Sequence, residues 1–133
     1  MNIKDIGSIE FHDARIDWLR FSCEGGLEIE FRHICVYPRN ILDDDMSNIW
    51  SAKAKLLLTG VNFVEIAGAI GIDDYITVGK FIDQQGHPSR MVDDASTCSA
   101  RSCDFLLAGS GTTIKVSFDS AVWAEMVSLE RIE

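Results

Sequence analysis

Apolar and polar residues alternate along several stretches of the chain with the period of two that is typical of β-strands. The clearest stretch spans residues 51–61, where apolar positions alternate with lysines. Residues 62–72 continue as a second extended stretch, although three glycines can mark bulges or breaks there. Residues 75–78 and 80–82 also look extended, and residues 84–88 form a loop by composition. This pattern favours a mainly β protein.

A first β-hairpin is predicted over residues 14–37, because two runs of β-branched and aromatic residues flank a turn at residues 24–26. With Cys23 opposite Leu27, Arg20 falls opposite Glu30 on the polar face, so one register satisfies both faces. The apolar face then forms part of the core and consists of Leu19, Phe21, Leu27, Ile29 and Phe31.

A second hairpin is predicted over residues 101–118, with its turn at residues 108–111. Placing Leu107 opposite Thr112 leaves Asp104 opposite Lys115 on the outer face. The same register pairs Phe105 with Ile114 and Cys103 with Val116 on the core face.

The tail, residues 120–133, allows two interpretations. Val122, Met126 and Leu129 have helical spacing, whereas Trp123, Val127 and Leu129 suit a strand, and we predict the strand. The chain shows no internal repeat. We therefore expect one domain over residues 1–133, mainly β, built as an antiparallel β-sandwich or open barrel, with a short helix as the alternative at the tail.

Acidic residues outnumber basic ones, twenty-one to twelve, which gives a formal net charge of -9 at pH 7. This charge repels phosphate groups, so we expect neither nucleic acid nor a membrane as a partner. The same charge could simply keep the protein soluble, but it would also speed the encounter with a basic protein. No apolar run reaches the roughly 20 residues of a membrane span or the length of a signal-peptide core, so a cytoplasmic location is expected.

Seven aspartates cluster at breaks between apolar segments, and they do not have the alternating spacing of a calcium loop. They could form a negative rim that binds the basic partner: Asp43, Asp44, Asp45, Asp73, Asp74, Asp93 and Asp94. Unpaired strand edges also leave homo-oligomer formation open.

His12 beside Asp13, with His33 expected near Asp17 across the first hairpin, forms the one candidate polar site. An imidazole next to a carboxylate can act as a base or a metal ligand. Alternatively, His12 and Asp13 hydrogen-bond backbone groups and tie the chain into the first strand.

No other pattern indicates catalysis or a cofactor. Ser110 lacks the strand-to-helix context of a nucleophile elbow, and residues 68–71 lack the third glycine of a dinucleotide fingerprint. Cys98 and Cys103 have no second close pair to complete a metal site, and we place Cys23 and Cys103 in the core as thiols.

The segment Phe11-His12-Asp13-Ala14, followed by Trp50 and the stretch of residues 56–61, resembles a group of small uncharacterised bacterial β proteins. Some of these are similar to immunity proteins that neutralise polymorphic toxins. The resemblance covers the first half of the chain. It implies a small cytoplasmic β protein without enzymatic activity, and it assigns no catalytic residue.

Two functions remain as hypotheses. The first is a non-enzymatic protein-binding module, such as an immunity-type inhibitor of a basic toxin. The alternative is a small-ligand- or metal-binding β-barrel enzyme that uses His12 and Asp13, since the mouths of barrels commonly hold ligands.

Overall fold

The computed structural model describes residues 6–38, 49–69, 74–89, 91–92 and 100–132. These residues form ten β-strands. The strands are β1 (Ile6–Phe21), β2 (Leu27–Pro38), β3 (Ile49–Thr59), β4 (Phe63–Ala67), β5 (Ile76–Asp83), β6 (Pro88–Ser89), β7 (Met91–Val92), β8 (Ala100–Leu107), β9 (Thr113–Ser117) and β10 (Ser120–Ile132).

The strands build two antiparallel sheets that pack against each other as a sandwich. The first sheet has the order β10-β3-β2-β1-β7 and the second has the order β4-β9-β8-β5-β6. The described ranges contain no helix, and therefore none long and apolar enough to cross a membrane. The mainly β, antiparallel fold class predicted from the alternation is confirmed, and the tail is a strand through Ile132.

Alternation along the strands sends one side chain of every two into the core. In β3 the inward positions Ala52, Ala54, Leu56 and Leu58 are buried, while Lys53 between them is exposed. Burial of each leucine side chain stabilises the fold by roughly 1.5 to 3 kcal/mol relative to exposure.

Phe11 lies at the centre of the core and contacts aromatic rings from both sheets. Its ring centroid is 5.1 Å from that of Phe81 and 5.2 Å from that of Phe105 in the second sheet. It is 5.9 Å from that of Phe31 in the first sheet. Residue 79 on β5 is a glycine, and this lets Phe11 approach β5 closely. A Cβ atom at residue 79 would lie only 2.5 Å from the Cβ of Phe11.

The second hairpin has the predicted register. Phe105 pairs with Ile114, and Asp104 pairs with Lys115 on the outer face. Leu107 N donates to the Thr112 carbonyl oxygen at 2.8 Å, next to the turn.

The register predicted for the first hairpin is wrong by two residues. Phe21 pairs with Leu27, because the turn is closed by Ser22 and Gly26. Ser22 N donates to the Gly26 carbonyl oxygen, Gly26 N donates to Ser22 Oγ, and each of these bonds is 3.0 Å long. Gly25 supplies the left-handed conformation that a three-residue hairpin loop needs, with φ at 79°.

A shift of two residues keeps each side chain on its face but moves it along the strand. Leu27, Ile29 and Phe31 are therefore buried as predicted. Phe21, however, lies at the end of the sheet and is 57% exposed. Cys23 is exposed as well, since it belongs to the turn and not to the core.

Candidate functional site

Phe11, His12 and Asp13 lie at a bulge inside β1, not at the entrance to the strand. Glu10 pairs with Cys35 and Arg15 pairs with His33, so four residues of β1 face a single residue of β2. Asp13 adopts the left-handed conformation there, with φ at 66°, which aspartate tolerates better than most residues.

The His12 ring bonds across to the other sheet. Its Nδ1 lies 2.9 Å from the carbonyl oxygen of Thr77 on β5. A carbonyl oxygen only accepts, so Nδ1 carries the proton and donates it. The ring's Nε2 lies 3.6 Å from Asp13 Oδ1, and both side chains are more than half exposed. This geometry agrees with the interpretation in which His12 hydrogen-bonds a backbone group. The bond joins β1 to β5, however, and does not tie the chain into the first strand.

Asp17 and His33 do not form the cross-strand pair that the sequence indicated. The residue opposite His33 is Arg15, and Asp17 falls in an irregularity between Ile16 and Trp18. The reason is the register of the first hairpin, which differs by two residues from the predicted one and places Arg15 opposite His33. Of the four predicted polar residues, His12 and Asp13 are adjacent at the bulge, and Asp17 does not pair with His33.

A different set of side chains meets on the outer face of the first sheet. We call Glu10, His33, Cys35, Tyr37 and Ser51 the polar cluster. Cys35 pairs with Glu10 on β1 and with Ser51 on β3, so these three residues form one row across the sheet. Tyr37 Oη donates to Glu10 Oε2 at 2.7 Å. His33 Nδ1 lies 2.6 Å from Ser51 Oγ, and His33 Nε2 lies 3.8 Å from Cys35 Sγ.

The surroundings of the polar cluster disfavour ionisation of Cys35 and Tyr37. Burial raises the pKa of the Cys35 thiol, and the negative charges of Glu10 and Asp13 raise it further. Burial and the hydrogen bond to Glu10 likewise raise the pKa of Tyr37 far above its usual range. A cysteine nucleophile needs the opposite shift, because the thiolate is the reactive form. The cluster therefore does not contain an activated thiolate.

Only weak signals in the sequence point to the polar cluster. The spacing of Cys35 and Tyr37 on one strand predicts a shared face. The pairing of Glu10 with Cys35, however, depends on the bulge in β1, which no local pattern indicates. Within the described ranges, no group of three or more His, Cys, Asp or Glu side chains is placed to hold a metal ion.

Of the seven predicted rim aspartates, Asp74 alone lies within the described residues, and it is buried. Its Oδ1 accepts hydrogen bonds from Gly109 N at 2.7 Å and from Tyr75 N at 3.0 Å. Its Oδ2 accepts from both the backbone N and the Oγ of Ser110. These hydrogen bonds lower the pKa of Asp74, and the bond from the Ser110 hydroxyl has the largest effect. Burial acts in the opposite direction. Asp74 thus fastens the β8–β9 turn to the start of β5 and does not offer a free carboxylate to a partner.

The other six aspartates lie outside the described residues, so the rim remains a prediction: Asp43, Asp44, Asp45, Asp73, Asp93 and Asp94.

Charged residues on the outer face of the first sheet are largely paired with one another. Lys53 Nζ lies 3.1 Å from Glu30 Oε1, and Lys55 Nζ lies 3.2 Å from Glu28 Oε1. These pairs are exposed or half-buried, so each contributes at most about 1 kcal/mol. They leave this part of the face close to neutral.

One edge of the first sheet is formed by β10, which we call the β10 edge. This strand is 13 residues long and, in the part of the chain that is described, pairs only with β3. Val122 lies opposite Leu57 and Val127 lies opposite Lys53, so both valines belong to the outer face. Their exposed fractions are 55% and 57%. The β10 edge therefore combines free strand length with exposed apolar side chains.

Comparison with known proteins returns no relative. No protein-family model matches the chain, and no curated protein or solved structure matches it significantly.

Proposed function

We propose that this protein is a non-enzymatic binding module that pairs the β10 edge with an extended segment of a basic partner protein. The observation that carries the proposal is the length of this edge strand together with the exposure of Val122 and Val127.

A strand at the edge of a sheet presents a row of backbone N–H and C=O groups that can pair with another chain. Peptide recognition by strand addition draws its affinity from these backbone groups and its specificity from neighbouring side chains. Val122 and Val127 supply apolar contacts beside such a partner strand.

The β10 edge is also protected against indiscriminate pairing. Its register with β3 shifts between Trp123 and Glu125 and again between Ser128 and Glu130. Bulges of this kind limit edge-to-edge aggregation. A specific partner would match the short regular stretches between them.

The net charge supports a basic partner. A formal charge of -9 raises the rate at which a cationic protein is encountered. An immunity-type inhibitor of a basic toxin, acting in the cytoplasm, is the specific form of this proposal. The neutral forms of Cys35 and Tyr37 agree with a non-enzymatic role.

The test uses the purified protein as bait in a low-salt lysate of its source organism, with quantitative mass spectrometry of the retained proteins. The test variant carries Val122→Lys and Val127→Lys. The matched control carries Val78→Lys and Leu106→Lys, which adds the same charge to a cross-strand pair on the outer face of the second sheet.

We expect a basic protein to be retained by the wild type and by the control and lost by the β10 variant. Equal retention by all three baits would show that the β10 edge is not the binding surface. If no protein is retained by the wild type, the binding role itself is wrong.

A further inference from the structure

We infer that the outer face of the second sheet binds the same face of a second copy of this chain, across a two-fold axis that runs parallel to the strands between β8 and β9. The basic partner proposed above pairs with the β10 edge of the first sheet, so the two binding surfaces are separate. The order of charged and apolar residues on the outer face of the second sheet selects both the occupant and its orientation.

Four charged residues form one row across this face, which we call the charged row, and their signs alternate. Lys80 on β5 pairs with Asp104 on β8. Lys115 on β9 pairs with Asp104 on one side and with Glu65 of β4 on the other. The charged row is therefore neutral as a whole, although the chain has a formal net charge of -9. Two copies can approach at this row without the repulsion that their net charge causes elsewhere.

Rows of apolar and small polar residues lie on both sides of the charged row. Three of their large apolar side chains are exposed, Val78 by 40%, Leu106 by 37% and Phe63 by 49%. Removing such surface from water is the main driving force of most protein association. The rows consist of Val78, Leu106, Thr113 and Ala67 on one side and of Ile82, Ser102, Ser117 and Phe63 on the other.

The alternating signs select the orientation of the second copy. A two-fold axis makes one patch meet the same patch of the partner. If the axis runs parallel to the strands between β8 and β9, Lys115 of each copy faces Asp104 of the other, and Lys80 faces Glu65. If the axis ran along the charged row, each residue would meet a residue of the same sign, which costs free energy. The first orientation joins opposite charges at all four positions and keeps the strands of the two sheets aligned, as in known sheet packing.

The same axis also brings apolar residues together beside the charged row. Ile82 of one copy faces Phe63 of the other, and Leu106 faces Thr113. Four strands about 4.8 Å apart and three rows about 6.7 Å apart form a patch of roughly 400 Å² on each copy. Stable complexes bury about 800 Å² on each partner, so we expect a weak and reversible dimer.

Analytical ultracentrifugation over protein concentrations from about 1 μM to 1 mM measures the dissociation constant of such a dimer. The test variants are Lys115→Glu and Asp104→Lys, because each places like charges opposite each other in its homodimer. The matched control is Lys53→Glu, which makes the same charge change on the outer face of the first sheet. Thermal melts followed by circular dichroism show whether each variant is folded.

The decisive sample is an equimolar mixture of Lys115→Glu and Asp104→Lys. In the mixed dimer the introduced glutamate of one copy faces the introduced lysine of the other. Asp104 of the first variant then faces Lys115 of the second, as in the wild type. Recovery of dimerisation on mixing therefore requires the proposed two-fold arrangement.

We expect the wild type and Lys53→Glu to dimerise equally, and each test variant to dimerise at least about tenfold more weakly. The mixture should recover the dissociation constant of the wild type. The variant that carries Val78→Lys and Leu106→Lys should fail to dimerise and still retain the basic partner, which separates the two surfaces.

A wild type that stays monomeric at the highest concentration would overturn the inference, as would a mixture that dimerises no better than its components. A dimer that is lost in the variant with Val122→Lys and Val127→Lys but kept in Lys115→Glu would place the second copy on the β10 edge and also overturn it. If a test variant does not fold, Lys80→Glu and Glu65→Lys provide the same comparison at the outer pair of the charged row.

Discussion

Replacing Phe31 with alanine removes a ring from the middle of the sandwich. Phe31 is fully buried, and its ring centroid lies 5.8 Å from that of Trp123, 5.9 Å from that of Phe11 and 6.2 Å from that of Phe105. Loss of a buried phenylalanine costs roughly 3 to 5 kcal/mol, because burial is lost and a cavity remains. Domains of this size have a total stability of about 5 to 15 kcal/mol, so the loss is large.

Phe21 on the same hairpin is the matched control. With 57% of its surface exposed, it has little burial to lose, and Phe21→Ala should cost about 1 kcal/mol or less. Urea unfolding of both variants, followed by tryptophan fluorescence, measures the difference. Equal losses would refute the observed register and restore the sequence-based one, in which both rings are in the core.

Three further substitutions test the fold around the site. Gly79→Ala should lower the melting temperature, since its methyl group would overlap the Cβ of Phe11; an unchanged temperature would contradict the close approach. Asp74→Asn should also destabilise the protein at neutral pH, and because the pKa of Asp74 is lowered by folding, the wild-type advantage should begin to shrink as the pH falls below about 3.9 and disappear only below the lowered pKa of the folded protein. A stability difference between the wild type and Asp74→Asn that persists in acid would show that the ionised carboxylate of Asp74 is not its source. His12→Ala should cost about 0.5 to 1.5 kcal/mol by removing the hydrogen bond to Thr77, and unchanged stability would count against a stabilising role of this bond.

The sequence predicted most of the strands because alternation is a local signal. In the second hairpin, apolar and charged residues agree on one register, and Phe105 does pair with Ile114. In the first hairpin, registers two residues apart keep the same faces, so alternation alone could not choose between them. The hydrogen bonds between Ser22 and Gly26 select the observed register, and they depend on the geometry of the turn.

The candidate site was harder to predict because it depends on contacts between distant strands. The register set at the turn separates Asp17 from His33, and the bulge at Asp13 places Glu10 opposite Cys35. Nothing local in the sequence indicates a left-handed aspartate inside a strand. Similarly, the sequence shows Asp74 only as one of two adjacent aspartates in a predicted loop. The fold shows that the β8–β9 turn donates hydrogen bonds to its carboxylate.

The β10 edge is tested most directly by hydrogen–deuterium exchange of the free protein and of its complex with the captured basic protein. We expect amides of β10 to become protected in the complex. Amides of Phe63–Ala67, the edge strand β4 of the second sheet, should exchange as before. Protection that appears elsewhere while β10 exchanges unchanged would contradict the proposed mode of binding.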